Sequence, residues 1–146
     1  MMSSMDNEER LKLARAWIAY TRLPVEDEGI NDEHWWAIEK MSDMERADPE
    51  SLWLTILLIH SLNEEQEDTV IAGCLAAGPL ENLLAYHGPQ FIDRVEAEAR
   101  RNPKFAFLLC GVWQNSISDE IWTRVLNTRN ENGWDAILQK PPKDTH

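Results

Sequence analysis

At 146 residues, 43% hydrophobic and 27% charged, the chain has the size and composition of one soluble globular domain. Its formal charge of −12 sits almost wholly in the first half: residues 1–70 carry 17 acidic against 6 basic side chains, residues 71–146 only 9 against 8. That balance disfavours a phosphate backbone as partner, no apolar run approaches the ~20 residues of a membrane span, and MMSSMDNEER lacks the basic and apolar regions of a secretion signal, so a cytoplasmic setting is expected.

Taken in chain order, the pattern predicts seven or eight short helices and no strand. Asp6 to Arg22 places Leu11, Leu13, Ala14, Trp17 and Ile18 in a helical rhythm that stops at Pro24. After an acidic loop over Val25–Gly29, Asn31 or Asp32 is placed to cap a helix through Met44, with Trp35, Ile38 and Met41 as its inner face. Asp48 caps the next helix, Pro49 opens it, and SLWLTILLIHSL is apolar nearly all round, as a central element should be. A helix over Thr69–Ala77 is rich in small residues, with Ala72, Gly73, Ala76 and Ala77 open to close approach by a neighbour.

Three further helix starts are read at Pro79, Pro89 and Pro103, each preceded by a terminator, Gly78, Gly88 or Asn102. The third of these helices carries Phe105, Leu108, Leu109, Val112 and Trp113 inward. Ser118 caps a last clear helix, SDEIWTRVL, without the glutamate three residues on that would complete a capping box. The domain is expected to span residues 1–138, with residues 139–146 a loose tail. DPESLWLTILL and NPKFAFLLCGVW share an Asx-Pro start 54 residues apart, which suggests an irregular right-handed stack of helix pairs, with an orthogonal bundle as the competing arrangement.

Few residues announce chemistry. Cys74 and Cys110 sit in separate apolar patterns with no CxxC, so neither a disulfide nor a zinc site is expected. His34, His60, His87 and His146 show no HExxH spacing. His60 and His87 stand at helix ends, where a histidine is favourable against the helix dipole. Asp93 and Glu96 share a face, yet Arg94, Arg100 and Arg101 are interleaved and Glu96–Arg100 is an i,i+4 pair, so a salt-bridged surface is favoured over a metal site.

Seven tryptophans are the clearest oddity. Trp17, Trp53, Trp113 and Trp122 fall on expected buried faces. Trp35 and Trp36 point ~100° apart on one helix and follow the acidic stretch EDEGINDEH, so the pair either anchors a basic partner or wedges its helix between two others.

The stretch AAGPLENLLAYHGPQFIDRVEAEARRNPKFAFLLCGVWQN resembles a bacterial family of small, acidic, all-helical proteins known only as a domain of unknown function. The resemblance rests on GPLE-x-LL-x-x-HG, FIDRVE-x-EAR, a Pro–Phe step and VWQN. It implies the helical fold and brings no activity. Glu81, His87, Asp93, Arg94 and Glu96 match the family's polar positions, as a polar site or as buried junctions between helices.

The reading that results is a non-enzymatic interaction module, in its sharpest form an immunity or inhibitor protein that neutralises a basic protein. Its partner-binding face would be Glu26, Asp27, Glu28, Asp32 and Glu33 with Trp35 and Trp36. No cofactor, metal or direct nucleic-acid contact is expected. The alternative is a small enzyme or ligand-binding domain with a polar site at Glu81, His87, Asp93, Arg94 and Glu96.

Overall fold

In a computed structural model, which describes residues 5–23 and 33–131, each helix begins largely where a short polar side chain or proline permits it. Helix α1 (Asn7–Thr21) opens on a full capping box: Asp6 Oδ1 accepts from Glu9 N at 2.7 Å and Glu9 Oε1 accepts from Asp6 N at 3.0 Å. Helix α2 (Trp35–Ala47) starts after His34 with no side-chain cap, and it runs three residues beyond the expected Met44. The expected caps Asn31 and Asp32 lie outside the described residues. The buried stripe of α2 is Ala37, Met41 and Met44, leaving Trp35 and Ile38 only half-buried. Helix α3 (Pro49–Asn63) starts as expected, with Asp48 Oδ1 accepting from Ser51 N at 3.2 Å and proline in its first turn.

The largest departure comes next. Thr69–Arg101 is one helix of 33 residues, α4, where three were expected. Asp68 caps it by accepting from Val70 N at 2.9 Å and Ile71 N at 3.3 Å. Pro79 sits inside a π-helical turn, Ala76–Leu80, whose wider loop absorbs the missing N–H. Pro89 sits behind a kink at His87, whose φ of −135° and ψ of 27° leave the helical region. Neither Gly78 nor Gly88 adopts the left-handed backbone of a helix terminator. The reason is tertiary: Leu75, Leu80, Leu83, Leu84, Phe91, Ile92 and Val95 are all buried, so one apolar stripe continues across both prolines. By length and hydropathy α4 could cross a membrane, and 44% of its most apolar window is buried inside the protein.

Helix α5 (Pro103–Leu109) confirms the third expected start, with Asn102 Oδ1 accepting from Lys104 N at 3.1 Å. It ends at Leu109, so the helical period does not reach Trp113, which is 70% exposed instead of buried. Ser118 Oγ accepts from Ile121 N at 3.4 Å before α6 (Asp119–Glu131). Among the described residues the chain is thus all-α with six helices, fewer than expected because Pro79 and Pro89 do not start new ones.

The six helices share one continuous core cluster. α1, α2 and α3 pack against one another, α5 and α6 pack on the second half of α4, and α1 and α2 reach past α3 to touch α4. Contacts that skip neighbours belong to a bundle; in a solenoid each repeat touches only the next. Trp53 of α3 is the hinge of the assembly, its ring 6.3 Å from Phe91 of α4 and 5.8 Å from Phe105 of α5. Cys74 and Cys110 are free thiols.

Two glycines of α4 give opposite expectations. An added Cβ at exposed Gly73 meets nothing within 4 Å, so Gly73→Ala should raise stability by up to about 1 kcal/mol through helix propensity. At buried Gly88 the Cβ would stand 2.9 Å from Ile121 of α6, so Gly88→Ala should cost about 1–3 kcal/mol by overpacking. Urea midpoints of the two variants, displaced in opposite directions, check both.

Candidate functional site

The five polar residues singled out in the second half are all placed on α4, and each is spent on holding another element. Glu81 lies just past the π turn and is 8% exposed. Its Oε1 accepts from the Trp113 backbone N–H at 3.2 Å and its Oε2 from Asn115 Nδ2 at 2.7 Å. One carboxylate therefore ties down the connection between α5 and α6, where Asn115 takes a positive φ of 39°.

His87, at the kink, donates from Nε2 to the Glu45 carbonyl at 2.7 Å. Asn82, about one turn earlier, donates from Nδ2 to Glu45 Oε2 at 2.9 Å. Together they dock α4 on the last turn of α2, and burial there pushes the Glu45 carboxyl above its ordinary range.

Asp93 and Glu96 share a face as the spacing predicts, and Arg124 of α6 occupies it. Arg124 Nη2 donates to Asp93 Oδ1 and Glu96 Oε1 at 2.6 Å each, and its Nε to Glu96 Oε2 at 2.9 Å. The fork raises the guanidinium's affinity for its proton. Glu96 is thereby tied across helices to α6. Arg94 lies over the Phe91 ring at 4.8 Å and donates to Glu50 of α3 at 2.5 Å.

Four junctions thus consume five residues, and they do not converge on one cleft. No group of three or more His, Cys, Asp or Glu side chains placed to hold a metal occurs among the described residues.

The first-half face presents differently. Glu26, Asp27, Glu28 and Asp32 lie outside the described residues. Glu33 is 84% exposed, 3.8 Å from the His34 ring. Trp35 turns inward, half-buried, with its ring 5.5 Å from Tyr20 of α1. Trp36 turns outward, 39% exposed, with Lys12 Nζ 6.0 Å from its ring centre. It stands between two hollows of ≈390 and ≈590 Å³, one shared with Lys40 and Asp48, the other with Arg15 and Glu33. The two tryptophans are separated in role by the 100° turn between them. Lys12, Arg15 and Lys40 were missed by a reading of the acidic segment alone; the i,i+3 spacing of Lys12 and Arg15 on α1 is the signal that places two of them together.

His60, expected to be a satisfied residue at a helix end, leaves a buried ring nitrogen, Nε2, without a hydrogen bond. Its ring meets the edge of Phe105 at 5.6 Å. Burial, the largest effect, lowers its pKa below the ordinary 6.5; Glu64 and Glu98 oppose this and Lys104 adds to it. The helix dipole that favours the charged form does not prevail.

Over residues 25–133 the chain matches the family described as "Family of unknown function (DUF6869)", and it belongs to that family. No curated protein and no solved structure matches the chain. Helix α1 lies outside the matched residues, yet its Leu13, Ala14 and Trp17 are buried in the common core.

Two predictions follow from these junctions. Glu81→Ala leaves the Trp113 N–H and the Asn115 amide without their acceptor, so it should cost about 1–3 kcal/mol in chemical unfolding. For His60, the folded pKa lies below the unfolded one, so the unfolded chain binds the proton first as pH falls through 6.5. Stability should fall from that pH downward until the folded ring titrates. His60→Leu should remove this part of the acid loss, seen as a flatter dependence of melting temperature on pH between about 7 and 5.

Proposed function

We propose that the protein is a non-enzymatic interaction module that captures a basic protein partner on the face around Trp36, in the manner of an inhibitor or immunity protein. The observation that carries this reading is the outward Trp36 ring, 39% exposed between two hollows, at the edge of the most acidic stretch of the chain. An indole held on a helix with open space on both sides is the kind of group that becomes a hot spot when a partner buries it.

The charge of the chain, concentrated in residues 1–70, would attract a basic surface from a distance. Lys12, Arg15 and Lys40 beside the ring would then set the register by meeting acidic groups of the partner. Two free thiols fit a reducing, cytoplasmic setting for this encounter. The alternative, a polar site near His87, draws no comparable support, because Glu81, His87, Asp93, Arg94 and Glu96 are already engaged in ties between elements.

The immobilised protein, exposed to lysate of its native host, should retain a basic protein at low salt and release it at high salt. Trp36→Ala should weaken that capture on the order of 30-fold, the effect of a hot-spot loss near 2 kcal/mol, while the helical circular dichroism stays unchanged. Trp35→Ala should instead lower stability, since that ring packs on Tyr20. Capture undiminished in a folded Trp36→Ala variant would overturn the assignment of the face.

A further inference from the structure

We propose that the hollow enclosed by the end of α3, the start of α4 and the first turns of α5 binds a small organic cation with an aromatic or alkyl body, a primary aralkylamine being the simplest member. The hollow measures ≈390 Å³, within the ~300–1,000 Å³ range of small-molecule sites. It shares no lining residue with the two hollows beside Trp36, and it stands independently of the interaction reading.

Its body is apolar. Ala72, Pro103, Phe107 and Leu108 supply the walls, and His60 closes one side with a ring that burial keeps neutral. Phe107 is 51% exposed, whereas its neighbours Phe105, Ala106, Leu108 and Leu109 are buried. An apolar group entering the hollow would cover that ring and remove it from water.

The rim supplies charge of one dominant sign. Asp68 is occupied as the cap of α4 and by Arg22 Nε at 3.1 Å. Glu67 is 3.8 Å from Lys104 Nζ, which also donates to the Glu64 carbonyl at 3.4 Å. The Glu64 carboxylate makes no hydrogen bond or ion pair among the described residues. A ligand ammonium therefore finds Glu64 open, and Glu67 held only by a long, exposed contact that it can share. A carboxylate ligand of the same shape would meet Lys104 alone among the lining cations, against Glu64 and Glu67.

The test is a titration of the ¹⁵N-labelled full chain with 2-phenylethylamine, with 3-phenylpropionate as the anion of matching body. Saturable shifts are expected at the amides of Ala72, Lys104 and Phe107, with a Kd on the order of 1 mM or below. The anion should give none. Ala72→Phe, which fills the hollow, should abolish the response, and Glu64→Gln, on the surface and harmless to folding, should weaken it about two- to fivefold. Shifts that never saturate or scatter over the acidic surface, equal binding of the anion, or full affinity in both variants would each overturn the proposal.

Discussion

Two prolines interrupt the hydrogen-bond ladder of α4 without ending the helix, and the rest of the structure depends on that continuity. A proline inside a helix removes one N–H and crowds the carbonyl four residues back, at a cost of about 3 kcal/mol or more. Here the backbone yields locally, by a π turn at Ala76–Leu80 and a kink at His87. The apolar stripe from Ile71 to Ala99 is thereby kept on one side and buried. Each fully buried Leu, Ile or Phe contributes about 1.5–3 kcal/mol, so several of them together outweigh two broken turns.

The distortions also aim the polar residues. Because the kink leaves His87 outside the helical region, its ring reaches the Glu45 carbonyl at the end of α2. Because Gly88 has no side chain, α6 can approach closely enough at Ile121 for Arg124 to span Asp93 and Glu96 farther along. Glu81, just after the π turn, reaches across to the segment that follows α5. Glu81, His87, Asp93, Arg94 and Glu96 therefore fasten the helices to one another. The ring of Trp36 and the hollow beside Phe107 are surfaces that this fastening does not use.

The charge asymmetry acts on a different length scale from these contacts. The pairs Arg22–Asp68, Arg94–Glu50 and Lys104–Glu67 are partly or largely exposed, so solvent screening leaves them little weight in stability. The excess of carboxylates in the first 70 residues is not consumed by such pairs. It acts as a long-range field that favours cations over anions near that half of the chain.

By itself the sequence determined what depends on neighbours a few residues apart. Asp48 and Ser118 were legible as caps because a short acceptor reaches the first turn whatever the fold, Asp6, Asp68 and Asn102 act by the same local geometry, and the burial of Trp17, Trp53 and Phe105 follows from apolar periodicity. The outcome at Pro79 and Pro89 was not local. A proline after glycine opens a new helix when nothing holds the chain straight, and it is bridged when packing on both sides does. Trp113 came out of the core because α5 stops at Leu109, a boundary set by the Glu81 tie to the next segment as much as by local propensity. Trp35 and Trp36 looked alike in sequence, and only the position of α1 made one a packed ring and the other an exposed one. The hollow beside His60 had no sequence signal, since its walls come from three helices up to 48 positions apart. Caps and periodicity are short-range and legible; bridged prolines, exposed aromatics and cavities arise from long-range packing, which only the tertiary structure decides.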